Sequence, residues 1–131
     1  AVWAQAEAKG WTFAAKSVIF RTNTGADPAH KTFSGTDWPF LEAAIGGFLR
    51  EQGVDHLIID QPSVDQEEDG GALACHHAFW GTQPEESLHR TITELVHVPQ
   101  AVNDGPYALL LQVAPLENDA APSRPLLYSL G

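Results

Sequence analysis

The sequence has no methionine, a single cysteine and only 7 lysines and arginines in 131 residues. Cys75 alone excludes an internal disulfide and fits a reducing compartment. Seven bases against 17 acids, a formal net charge of −10, exclude the basic patch that nucleic acid or an anionic membrane surface requires. No apolar run approaches the roughly 20 residues of a bilayer-spanning helix, and the first residues lack the layout of a signal peptide. A cytoplasmic protein with neither nucleic-acid nor membrane partners is expected. Also missing are a glycine-rich phosphate loop, a nucleophile elbow and any tight H-x-x-x-H or C-x-x-C pair. The lack of an internal methionine, with an opening "AVWAQAEAKGW" that carries no initiator, leads to the expectation of a segment of a longer protein.

What is present is ordinary globular material: 44% hydrophobic residues with four Trp and six Phe, enough to bury one core. Residues 1–9 are alanine-rich and read as helix, ended by Gly10. "KSVIFRT" (16–22) is apolar and β-branched without alternation, as in a strand covered on both faces. "NTGADPAHKTFSGTDWP" (23–39) is turn-rich and reads as a long loop. Thr36 or Asp37 can cap a helix with Pro39 in its first turn. Phe40, Leu41, Ala44, Ile45, Phe48 and Leu49 then keep helical spacing up to Gly53. "DHLIID" (55–60) returns to strand, completing a βαβ unit with both strands in one sheet. "ALACHHAFW" (72–80) reads as a short helix, "GTQPEESLHR" (81–90) as polar loop, and "TITELVHV" (91–98) as an alternating strand. "YALLLQVAP" (107–115) reads as another buried strand and "PLLYSL" (125–130) as the last. The organisation expected is one α/β domain.

Between 58 and 80 the chain runs "IIDQPSVDQEEDGGALACHHAFW", apolar strand to acidic run to two histidines. Asp65, Glu67, Asp69 and Gly70 fall at the first, third, fifth and sixth positions of a calcium loop. The twelfth, which must be a bidentate glutamate, is His76, so the run reads as a solvated acidic turn. His76 and His77 point to different sides of a helix, so at most one serves a given site. Each is either a structural or surface imidazole or a metal ligand. Glu94 shares a strand face with Ile92, Val96 and Val98, and a buried carboxylate needs a partner. It either sits at a strand end beside Arg90 or Arg124, or faces a cleft as a ligand. Cys75 beside His76 makes no nucleophile pair, since adjacent helical residues diverge.

The string "GVDHLIIDQPSVDQEEDGGALACHHAFW", flanked by "KSVIFRTNTG", "FSGTDWPFLEAAIGGFLREQGVDHL", "TITELVHVP" and "DGPYALLLQVAPLENDAAPSRPLLY", resembles the cyclase family of metal-dependent hydrolases, which includes bacterial kynurenine formamidase. The likeness runs in order from about residue 14 to 128. It implies a swivelling β/β/α fold and a divalent metal, zinc or manganese, that activates water against an amide or ester. The family's histidine after D-x-P-S-x-D and its glutamate on a following strand fall on His76 and Glu94, the implied metal-binding and catalytic pair. Asp60, Ser63 and Asp65 occupy the motif and are expected to shape the pocket floor by hydrogen bonding, with His77 beside them. The family's H-x-G-T-H string is absent, and His30 in "DPAHKTFSG" does not fit it. The resemblance therefore implies a C-terminal portion that lacks an N-terminal metal-binding half. The leading function is metal-dependent hydrolysis of a C–N bond in an amide, formamide or lactam-like small molecule, weak or lost in this segment alone. The alternative is a non-catalytic module that binds the missing half or another partner, or self-associates into a homo-oligomer.

Overall fold

A computed structural model describes Ala8, residues 15–22 and residues 28–130. The helix expected over residues 1–9 lies outside the described residues but for Ala8, as does the 23–27 part of the long loop. Five strands and three helices follow: β1 (Ser17–Phe20), α1 (Ala43–Glu51), β2 (His56–Ile59), α2 (Ala74–Trp80), α3 (Pro84–Ser87), β3 (Thr91–Thr93), β4 (Tyr107–Val113) and β5 (Ser123–Ser129). A 3-10 turn spans Pro28–His30.

The strands make two sheets. β1, β2 and β3 form a parallel sheet in that order, and β4 pairs antiparallel with β5. β2 is central because it can be covered on both faces: Leu57, Ile58 and Ile59 are all fully buried, the pattern of an inner parallel strand. Leu57 sits opposite Val18 on one side and Ile92 on the other. Leu57 and Ile59 join Leu49, Val54, Val64, Cys75 and Phe79 in the core beneath α1 and α2. Full burial of a Leu, Ile or Phe side chain is worth about 1.5–3 kcal/mol, so this cluster dominates the stability of the sheet–helix layer. Gly53, at φ +76°, closes α1 as a left-handed residue.

Ile58 turns to the other face with Ile19, toward a cleft of about 910 Å³ that separates this sheet from the hairpin of β4 and β5. Leu126 and Leu127 line its far wall. Arg21 fastens the connection between the two sheets, donating to the carbonyls of Pro99 (3.2 Å) and Val102 (2.7 Å) and to Asp104 Oδ1 (3.0 Å).

Several boundaries differ from the sequence expectation. α1 starts at Ala43, not at a Thr36 or Asp37 cap, and its N-cap, Glu42, makes no side-chain capping bond. Asp37 is left-handed at φ +49°, and the Leu41 N–H is taken by the Val64 carbonyl at 2.8 Å. The segment before α1 is thereby held extended. The strand expected over 91–98 stops at Thr93. Leu95 adopts φ +55°, and Leu95 and Val96 donate to the carbonyls of Gln61, beyond β2, and Ile59, its last residue, past the end of the β2–β3 ladder. α2 begins two residues later than expected, after left-handed Leu73. The polar stretch 81–90 contains the one-turn α3. The strand at 107 is not buried: its residues alternate between half-buried and exposed, because among the described residues the hairpin is covered on one face only. Among the described residues no helix is long and apolar enough to cross a membrane.

Candidate functional site

Three connections leave the carboxyl ends of β1, β2 and β3, the edge where open parallel sheets bind ligands. They carry Thr22, the segment Asp60–Asp65, and Glu94. Buried Asp60 accepts the Thr22 N–H on both oxygens (2.9 and 3.0 Å) and the Thr22 hydroxyl at 2.6 Å. Gln61 donates its amide N–H to the same hydroxyl oxygen, and its own Oε1 is buried without a partner among the described residues. Asp60 thus braces the ends of β1 and β2. Ser63 accepts the Asp65 N–H at 3.0 Å, tightening the turn of the D-x-P-S-x-D motif.

Asp65 is the hub. One carboxylate oxygen accepts the Cys75 N–H at 2.7 Å; the other accepts the His76 N–H at 3.2 Å and contacts His76 Nδ1 at 2.6 Å. It therefore serves the open start of α2 and the imidazole together. The Trp80 ring meets His76 edge-on, centroids 5.0 Å apart. With Nδ1 engaged, Nε2 is the ring atom left to face Glu94, and it lies 3.5 Å from Glu94 Oε1. That oxygen accepts the Val64 N–H at 2.9 Å. The turn at Leu95 leaves Glu94 just past the end of β3, as one reading of the sequence had it, but its partners are Val64, Ser63 and His76. Arg90 instead donates to the Trp80 carbonyl. Burial raises the pKa of the Glu94 carboxyl, against the lowering effects of the Val64 N–H, His76 and Ser63. His77, grouped with the pocket on sequence, is exposed. One residue is about 100° of helix, enough to part it from His76.

The donor set suits a divalent ion in part. An imidazole nitrogen and a carboxylate oxygen are the ligand types zinc favours, and two ligands of one tetrahedral zinc sit about 3.3–3.5 Å apart. The 3.5 Å between Nε2 and Oε1 matches that spacing and exceeds an ordinary hydrogen bond. A partly buried carboxylate that desolvation disfavours as an anion is also what a cation would stabilise. Asp65 is not a third donor, since its oxygens are occupied by N–H groups. Among the described residues no three His, Cys, Asp or Glu side chains gather as a metal-binding group.

The acidic run has a use that sequence reasoning missed. Glu67 accepts the Gly35 N–H (2.8 and 3.0 Å) and the Ser34 hydroxyl (3.1 Å), pinning the 31–38 loop. Asp69 accepts the N–H groups of Gly71 and Leu73, both at 2.7 Å. Trp38 donates its indole N–H to the Asp65 carbonyl. The glycines at 70 and 71, both left-handed, were the available signal that this turn folds back on its own carboxylates.

Fold and site together define an α/β chain with an aspartate–imidazole–glutamate line at the carboxyl edge of a parallel sheet. In sequence the chain is similar to kynurenine formamidase of Bacillus cytotoxicus, 39% identical over 93 residues. The match takes in 70% of this chain and 41% of that protein, so the chain spans less than half the length of the relative it matches. No family model matches.

Proposed function

We propose that this chain carries one side of the active centre of a metal-dependent amide or formamide hydrolase of the cyclase family, in a swivelling β/β/α fold and a cytoplasmic setting. The observation that carries the reading is the pairing of His76 Nε2 with Glu94 Oε1 at 3.5 Å, at the positions where the family resemblance puts two ligands. The name of the Bacillus relative supports a formamide as substrate.

His76 and Glu94 would hold the ion, zinc or manganese, whose contribution when bound is to polarise a carbonyl and acidify a water. Asp60 and Ser63 keep the turn in place by accepting backbone N–H groups, and Ser63 also hydrogen-bonds the Glu94 carboxylate. Trp80 walls one side of the imidazole and limits water there. Two donors fall short of the three that catalytic zinc sites use, so the remaining donors must come from outside the described site, and activity of this chain alone is expected to be weak.

The test is metal content by elemental analysis after loading with zinc or manganese, followed by hydrolysis of N-formylkynurenine. Metal retention and turnover that both fall in His76→Ala and Glu94→Ala support the proposal. Retention that neither substitution changes refutes it.

A second reading is a non-catalytic module whose hairpin is covered by a partner, by further chain or by a second copy. It is favoured by the exposure of Leu110, Val113 and Tyr128 (43%, 56% and 55%) on β4 and β5. A chain that sediments as a homo-oligomer but takes up no metal would select it.

A further inference from the structure

We infer that Asp65 is a positioning residue that fixes which nitrogen of His76 is available to a ligand; the inference rests on the reading of His76 and Glu94 as a metal-binding pair. An ionised carboxylate has no proton to give. The 2.6 Å contact between Asp65 Oδ2 and His76 Nδ1 therefore places the ring proton on Nδ1 and leaves the lone pair on Nε2. Nε2 is the atom that faces Glu94.

The restraint is built from both ends. Asp65 is itself fixed by the Cys75 and His76 N–H groups, which also fix where α2 begins and so where the imidazole is rooted. Trp80 closes on the ring edge-on. Asp65 and His76 side chains are only 7% and 12% exposed, so water competes poorly for Nδ1. The arrangement is the carboxylate–histidine support that ligating imidazoles use, where losing the outer partner costs about 10–100-fold in metal affinity.

Asparagine at this position separates orientation from mere packing. Asp65 receives donors on both oxygens, so an amide of the same shape must turn its NH2 toward one of them. Turned toward His76, it offers a donor to Nδ1 and drives the ring proton to Nε2, the atom that should stay bare. Glutamate at 65 keeps the acceptor-only chemistry and should keep the proton on Nδ1.

The experiment is long-range 1H–15N NMR of the metal-free chain, at a pH well above the ordinary histidine range. The His76 ring signals are identified by their loss in His76→Gln. The wild-type ring should show a protonated Nδ1 and a bare Nε2. Asp65→Asn should shift the population toward protonated Nε2, Asp65→Glu should not, and zinc or manganese affinity should drop ~10–100-fold in Asp65→Asn. A wild-type ring protonated on Nε2 overturns the inference even if no Asp65 variant folds. So does a folded Asp65→Asn chain with unchanged ring signals and unchanged metal affinity. If the ring is as described but the wild-type chain takes up neither metal, the positioning of Nε2 stands and the metal-site reading fails.

Discussion

Gly46 and Gly47 are neighbours on α1, yet alanine should stabilise the chain at Gly47 and give no gain or a loss at Gly46. A Cβ on Gly46 would lie 2.7 Å from the Cys75 carbonyl oxygen, 3.2 Å from Cys75 Sγ and 3.2 Å from the Phe79 nitrogen. Two of those three atoms are backbone of α2, so relief requires the helices to separate. A Cβ on Gly47 meets nothing within 4 Å. Both substitutions gain the same helix propensity, about 1 kcal/mol, and the same loss of unfolded-state freedom, so those contributions cancel in the comparison. What remains is the overpacking cost at Gly46, about 1–3 kcal/mol. Gly47→Ala should therefore stabilise the chain by about 1 kcal/mol, while Gly46→Ala falls about 1–3 kcal/mol below it. For a domain of this size that gap is about 4–12 °C in Tm, read from thermal unfolding of the two variants side by side, with urea midpoints as a check. Because α2 also carries His76, Gly46→Ala should weaken metal uptake as well, and Gly47→Ala should not. Equal melting temperatures for the two variants would mean that α1 and α2 do not approach at Gly46, and the placement of His76 would go with it.

Cys75 is fully buried, and burial with Asp65 nearby pushes its thiol up to about 12 from 9.0. An aromatic disulfide reagent at mildly alkaline pH should label it only after denaturant is added, and native-state labelling within minutes would contradict that burial. The same shift makes stability fully present below pH 9 and lost as pH rises toward about 12, which alkaline urea titrations would show and which Cys75→Ser should flatten. Glu94 is raised from 4.5, chiefly by burial. In metal-free protein its contribution is therefore complete below pH 4.5 and declines as pH climbs through the raised value. Urea midpoints of Glu94→Gln should lack that decline while metal uptake is lost. Arg21→Ala removes donors to Pro99, Val102 and Asp104, a loss of about 1.5–3 kcal/mol, and limited proteolysis should then cut first between 99 and 106.

The βαβ unit was legible because its signal is local. "KSVIFRT" and "DHLIID" are near-continuous apolar strands around a helix of clean period, and β1 and β2 do pair in parallel. The end of β3 was not legible, since Leu95 continues an alternating pattern, and its left-handed turn goes with long-range bonds from Leu95 to Gln61 and from Val96 to Ile59. The start of α1 failed for a like reason: Asp37 and Pro39 form an acceptable local cap, and Leu41 overrides it by pairing with Val64, far along the chain. Local chemistry named the pieces, and long-range backbone pairing decided where they stop. The same division holds at the site. His76 and Glu94 were singled out by residue type and resemblance, but nothing in the spacing of 65 and 76 shows that Asp65 grips Nδ1.

That grip also explains why acids gather after β2. Backbone N–H groups at the Gly35 turn before α1, and at the Gly70–Gly71 turn and the first turn of α2 on the connection that follows β2, have no helical or sheet acceptors. Glu67, Asp69 and Asp65 supply those acceptors in that order. A carboxylate is suited to each because it accepts several N–H bonds at once and offers no competing donor. Only the last is buried among groups able to carry the restraint further, from its own backbone partners to the imidazole and on toward Glu94. On this account Glu67 and Asp69 could be replaced by other acceptors with loss of loop order alone. Asp65 could not, because at that position one carboxylate sets the start of the helix and the direction of the ring together.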